Sequence, residues 1–180
     1  MTDDSAEPLR IAVTGTPGTG KTSATNALAD RGVDTPVIHL NDEIKDHDLW
    51  TERDVDRDSL VTDLDAVQSH LGDWDGVLES HLAHHFDADR VVVLRCAPAD
   101  LDARLESRGD TPEKARENAE SEALDVVLSE AVEAHGPDSV YEVDTTGCDP
   151  AAVAEAIATV IAGEREPTAG EVDFTDYLVS

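Results

Sequence analysis

Aromatic side chains are scarce in this chain: Phe, Trp and Tyr make up 3% of its 180 residues. A core must therefore rest on branched aliphatics and alanine, within a hydrophobic share of 39%. That length suits one domain of ordinary size. Cysteine is scarcer still. Cys96 and Cys148 have no metal-site spacing and read as small reduced residues rather than a disulfide. No apolar run approaches the roughly 18–20 residues that a membrane span needs. The opening MTDDSAEP is acidic and polar, unlike a secretory signal. Together these absences predict a soluble, cytoplasmic protein that does not engage a membrane.

Positive charge is the most conspicuous shortage. Lysine stands only at positions 21, 45 and 114, and 13 Lys and Arg face 41 Asp and Glu, for a net charge of −28. Self-repulsion on this scale opposes compaction at low ionic strength. Molar salt shortens the Debye length to about 3 Å and removes that penalty. The charge is spread along the whole chain, which predicts a high-salt cytoplasm. It also argues against nonspecific nucleic-acid binding through counterion release.

What is present alternates between strand-like and helix-like segments. RIAVTG (10–15), TPVIHL (35–40), GVLE (76–79), RVVVLRC (90–96) and VYEVD (140–144) read as strands. The continuous apolar run of RVVVLRC suits a buried parallel strand. Helices are predicted over 21–29, from Asn41 as a cap, over TDLDAVQSHL with Leu64, Val67, Gln68 and Leu71 on one face, and over PADLDARLESR. A long helix is predicted over 111–135, with Val126 and Val127 inward. A last one runs from Asp149 and Pro150 to Gly163. Residues 48–62 are dense in charge without a clear period and read as a mobile, exposed segment. The pattern predicts a parallel five-stranded α/β sheet flanked by helices, with right-handed crossovers.

Gly15-Thr16-Pro17-Gly18-Thr19-Gly20-Lys21-Thr22 satisfies G-x-x-x-x-G-K-[ST] between a strand and a helix. Glycine lets the backbone turn its N–H groups into a concave nest for phosphate, and the following helix adds its positive end. Gly15, Gly18, Gly20, Lys21, Thr22 and Ser23 are thus predicted to hold a nucleotide. Lys21 would reach the β- and γ-phosphates of ATP, and the Thr22 hydroxyl would ligate Mg²⁺. No late N-K-x-D segment exists to read guanine, and DWDG (73–76) and DTTG (144–147) are wrongly placed for a GTPase.

The order of these parts resembles the nucleoside monophosphate kinases, and more closely the adenylate kinase isoenzyme 6 family. The resemblance is carried by GTPGTGKTS, LESH (78–81), LRCAPADLDARLESRG (94–109), ENAESEALDV (117–126) and YEVDTTG (141–147). It implies a P-loop NTPase fold over 9–163, with a disordered leader at 1–8 and a tail at 164–180. A monophosphate-binding insertion is implied near 41–63, and a short lid near 108–118. Asp110 departs from the family, which commonly carries an aromatic residue after the lid's R-G.

Glu79, at a strand's carboxyl end, is the candidate acid for Mg²⁺ alongside Thr22. The resemblance implies a catalytic-centre histidine in His81. His81, His84 and His85 also have helical spacing that could ligate a metal. Arg104 and Arg108 share a helix face and suit a moving phosphoryl group, with Arg108 heading the lid. Arg53 and Arg57 are candidates to clamp an acceptor phosphate. The expected activity is Mg²⁺-dependent phosphoryl transfer from ATP to AMP or a related monophosphate, with ATPase activity. The resemblance further implies a role in small-ribosomal-subunit (16S rRNA) maturation beside a ribosomal protein. The alternatives are an assembly ATPase without kinase activity, and a small-metabolite kinase.

Overall fold

The computed structural model of the protein describes residues 9–56 and 59–179. The predicted leader at 1–8 lies outside them, as does Arg57. Along the chain run β1 (Arg10–Thr14), α1 (Lys21–Ala27), β2 (Val37–His39), α2 (Leu40–Asp46), β3 (Trp50–Asp54), β4 (Ser59–Thr62) and α3 (Leu64–Leu71). Then follow β5 (Gly76–Glu79), β6 (Arg90–Arg95), α4 (Pro98–Ser107), α5 (Pro112–Ala123), α6 (Val126–His135), β7 (Val140–Asp144) and α7 (Pro150–Ile161). Five strands form one sheet in the order β2-β5-β1-β6-β7, and every pairing in it is parallel.

Side chains along a strand alternate between the two faces of the sheet, and both faces here are covered. Ile11 and Val13 of β1 join Val92 and Leu94 of β6 against Ala24 and Leu28, and against Val153, Ile157 and Val160 of α7. Ala12, Val91 and Val93 face the other way, onto Leu40 and Ile44 of α2, Val67 of α3, and Leu128 and Ala131 of α6. This is why the strands read as unbroken apolar runs. A smaller cluster, Cys96, Leu101, Leu105 and Ala115, joins α4 to α5.

β1 lies between β5 and β6, the strands that follow it only after long crossovers. Connections diverge from such a strand and leave a crevice at the carboxyl ends, the usual ligand position in open α/β sheets. The segment Gly15–Gly20 emerges there. Helix starts are set as the sequence implies: Asp149 accepts from the Ala152 N–H at 2.8 Å, and Pro150 stands at the first helical position of α7.

Three sequence expectations change, and the tail, for which the sequence set no expectation, finds a place. The described residues of 48–62, read from sequence as a mobile, exposed segment, include two strands: β3 and β4 pair antiparallel, with Arg53 opposite Leu60 and Trp50 opposite Thr62. Strand-forming Trp50, Thr51, Leu60, Val61 and Thr62 stand at the ends, and the charges between them hide the pattern. Leu49 and Trp50 anchor the hairpin on the second core cluster. Asn41 does not cap α2. The helix begins at Leu40 behind an extended His39, and the Asn41 Oδ1 accepts from the Ser80 hydroxyl at 2.8 Å.

The predicted helix 111–135 is two helices. It breaks at Asp125, whose backbone is left-handed with φ of 57° and whose carboxylate takes a 2.5 Å bond from Arg95. Val126 consequently turns outward, 38% exposed, and Leu64 in α3 is similarly exposed. Finally, the tail beyond Gly163 docks on the core. The Thr168 N–H donates to Val140, and the Glu171 and Val172 N–H groups donate to the Glu142 carboxylate at 2.8 and 3.1 Å.

Candidate active site

The loop after β1 is shaped by two close approaches. A Cβ at Gly15 would lie 2.6 Å from the Leu94 carbonyl oxygen, and one at Gly18 would lie 2.8 Å from the Leu105 side chain. Gly15 therefore lets the loop leave the sheet against β6, and Gly18 lets it rest on α4. The hydroxyl of Thr19 closes the turn by donating to the Thr16 carbonyl at 2.9 Å.

Lys21 opens α1 and folds back over the loop. Its Nζ donates to the carbonyls of Gly15 and Thr16 at 2.9 and 3.1 Å. Burial pushes its ammonium down to about 8, with Arg108 adding to that, while Glu79 and Glu122 oppose it. Next to it, the Thr22 hydroxyl donates to Glu79 Oε1 at 3.2 Å, and Glu79 Oε2 pairs with His39 Nδ1 at 2.7 Å. Glu79 is buried at the carboxyl end of β5, level with His39 across the β2–β5 register. A hydroxyl and a carboxylate are hard oxygen donors, the set that suits Mg²⁺.

A cavity of about 300 Å³ opens over this loop. Gly18, Gly20, Lys21, Thr22, Ser23, Glu79, His81, Arg104 and Arg108 all line it, while Gly15 is buried beneath. Nine of the residues singled out in the sequence thus meet at one place. Arg104 is held from behind, its guanidinium donating to the Thr145 carbonyl at 3.1 Å. So the DTTG turn positions an arginine. Arg108 is half exposed beside Asp110, which accepts from its Nε at 3.0 Å. Burial pushes the His81 imidazolium down to about 4, aided by Lys21, so the ring is neutral at physiological pH.

A second cavity, of about 740 Å³, adjoins the first through Pro17 and His81. Its walls are the hairpin tip at Asp56 and Ser59, the Gly109–Thr111 turn, Lys114 and Asn118 of α5, and the His84–His85–Glu130 group. Arg53 lines neither cavity and lies exposed on β3. The predicted helical histidine trio does not form either. Residues 83–85 are a tight 3₁₀ turn, so His81 faces the loop while His84 and His85 meet at Glu130.

Beneath the loop lies a buried ionic network that the sequence did not betray. The Thr16 hydroxyl donates to Glu122 Oε2 at 2.6 Å, and Arg95 Nε donates to Glu122 Oε1 at 2.7 Å. Arg95 also donates to Glu142 at 2.7 Å and is covered by the Phe174 ring, 5.5 Å away. Burial opposes its charge, but Glu122 and Asp125 outweigh that and hold it above the ordinary arginine range. His39 and Asn41 were missed too. His39 was detectable in principle, because it ends a strand on the same sheet edge as Glu79.

The chain is similar to known proteins over most of its length. Residues 11–125 match the family described as AAA domain. A protein of Natronomonas pharaonis named "Putative adenylate kinase" is 62% identical over 94% of this chain and all of that one. A protein of Halobacterium salinarum of the same name is 58% identical, with the same coverage. Among solved structures, shikimate kinase from Bacteroides thetaiotaomicron superimposes with a TM-score of 0.59 at 20% identity, over 86% of this chain and 98% of that one. That likeness shows the P-loop kinase fold.

Proposed function

The chain belongs to the family of these archaeal relatives named for adenylate kinase, and on that basis we propose that it transfers the γ-phosphoryl group of ATP to AMP or a related nucleoside monophosphate. The observation that carries the reading is the junction of two cavities at His81: one over the phosphate loop with Lys21, Arg104 and Arg108, the other walled by the β3–β4 hairpin and α5. ATP takes the first, the acceptor the second.

In this reading an acceptor phosphate oxygen attacks the γ-phosphorus in line, the bond to the β-phosphate oxygen breaks, and ADP leaves. The protein supplies no nucleophile. It supplies position and charge. Lys21 and the loop N–H groups hold the phosphates. Arg104, held by Thr145, and the half-exposed Arg108 neutralise charge on the moving group. Thr22 and Glu79 would hold Mg²⁺, which supplies charge neutralisation at the phosphates. Neutral His81 sits at the boundary as a hydrogen-bonding wall that adds no charge beside Lys21.

The test is phosphorus NMR of the protein with MgATP and AMP in about 2–3 M KCl, conditions that screen its charge, with Lys21→Ala as control. Consumption of AMP with ADP appearing and no matching free phosphate is the expected result. ADP with equimolar phosphate, whatever acceptor is offered, would refute transfer and leave an ATPase. ATPase activity and a role in small-subunit rRNA maturation are part of the proposal. The motif resemblance supports them, and a surface of charge −28 complements a basic ribosomal protein. Failure to retain any small-subunit ribosomal protein in molar KCl would count against that part. Among the described residues no helix is long and apolar enough to cross a membrane, and the proposed setting is the cytoplasm.

A further inference from the structure

The group on the floor of the larger cavity has no part in phosphoryl transfer as described above. His84 and His85 follow one another on the 3₁₀ turn after β5, and Glu130 reaches them from α6. Glu130 Oε2 lies 3.0 Å from His84 Nε2 and 3.4 Å from His85 Nε2. All three ligand atoms fall within 4.8 Å of one another. Donors bound to one tetrahedral zinc ion at about 2.0–2.2 Å stand roughly 3.3–3.6 Å apart, so a small closure brings these three into range.

The supporting shell is already built. His84 is buried, and its other ring nitrogen, Nδ1, is 2.7 Å from the Thr14 hydroxyl. Its backbone carbonyl accepts from His135 Nε2 at 2.8 Å. Metal-bound histidines characteristically fix their second nitrogen in this way. Ligation by His84 needs no net proton. The ring's proton leaves Nε2, Nδ1 takes one up, and the Thr14 hydroxyl turns from donor to acceptor. His85 and Glu130 are partly exposed and free to adjust.

We propose that His84, His85 and Glu130 form a binding site for one divalent transition ion of the zinc class, separate from the Thr22–Glu79 oxygen pair, with its fourth position open to the cavity. Two imidazoles and one carboxylate are the borderline-soft set that prefers zinc, cobalt or nickel over magnesium. Its open position would meet an anionic oxygen. That last statement alone rests on the acceptor reading of the cavity. The site itself does not.

The experiment is titration of the nucleotide-free protein with Co²⁺ in molar KCl and excess MgCl₂, following visible absorption and equilibrium dialysis. The expected result is one cobalt per chain with the intense absorption of a tetrahedral site. His85→Ala and Glu130→Gln, both at partly exposed positions, should each weaken it at least about tenfold. A second cluster, Glu43, His47 and His70 on α2 and α3, supplies the control: the double variant His47→Ala/His70→Ala should leave binding unchanged. No saturable cobalt binding, or binding that survives His85→Ala and vanishes in the His47/His70 variant, overturns the assignment. Because ATP is absent throughout, failure of the kinase reading does not affect the result.

Discussion

Replacing Glu122 by alanine tests the idea that the phosphate loop stands on a buried ionic base. Glu122 is 2% exposed and accepts three bonds, from the Thr16 hydroxyl, from Arg95 Nε and from the Cys96 N–H at 3.2 Å. The variant strips all three donors of their acceptor. Breaking a buried pair by removing one partner costs about 3–5 kcal/mol. Arg95 keeps Glu142 and Asp125, so the loss should fall near the lower figure, about 3 kcal/mol. For a chain of this size each kcal/mol moves the melting point by about 2–4 °C, which gives a drop of roughly 6–12 °C. The assay is urea and thermal unfolding followed by circular dichroism in molar KCl. Glu155→Ala is the comparison. It removes the surface partner of Arg31 and should cost no more than about 1 kcal/mol. MgATP affinity should also fall at least about tenfold in Glu122→Ala, or about 1.4 kcal/mol, because Thr16 belongs to the loop. A stability loss matching that of Glu155→Ala, with unchanged MgATP affinity, would refute the reasoning.

Three further outcomes follow from the charges described. Lys21 titrates near 8 in the free site, and phosphate raises it, so nucleotide binding near pH 8 should take up about half a proton. Calorimetry in buffers of different ionisation enthalpy reads this directly, and Lys21→Met should abolish it. His81 is held neutral by burial. The unfolded chain therefore binds the extra proton between pH 6.5 and about 4, and the folded state loses stability as pH falls through that window. His81→Asn should remove this share of the acid sensitivity, seen as wild-type and variant denaturation midpoints that differ in spacing at pH 7 and pH 4.5. Raising KCl from about 0.1 to 3 M should raise the melting point, since the Debye length shrinks to a few ångströms. A flat response would remove the high-salt reading of the charge.

The parts of this fold legible in sequence are those set by local or strictly periodic chemistry. RVVVLR has to be buried on both sides, and Asp149-Pro150 has to start a helix. The loop motif gathers its residues because its spacing is short, and Arg104 and Arg108 reach the same cavity because α4 carries the first and ends at the second, its C-cap. The rest depended on partners distant in the chain. Asp125 breaks a helix because Arg95, thirty residues earlier, claims its carboxylate. Asn41 looked like a cap, but Ser80 takes its side chain. His84 and His85 looked like members of a helical trio until a tight turn gave them to Glu130. Glu122 read as one more acid in a chain full of them, and nothing in its neighbours showed that it would be buried under Thr16.

The docked tail has a consequence for the order of synthesis. Thr16, Glu122, Arg95 and Glu142 form one continuous relay, and its last link is to the N–H groups of Glu171 and Val172. In chain order the loop follows the first strand, and these amides come after every strand of the sheet. On a translating ribosome the nascent chain can therefore assemble its sheet while the Glu142 carboxylate still lacks part of its cover. The base beneath the phosphate loop is finished only when residues 168–174 are seated on Glu142 and Arg95. A phosphate loop set just after the first strand thus rests on a base that is completed by amides following the last helix of the fold.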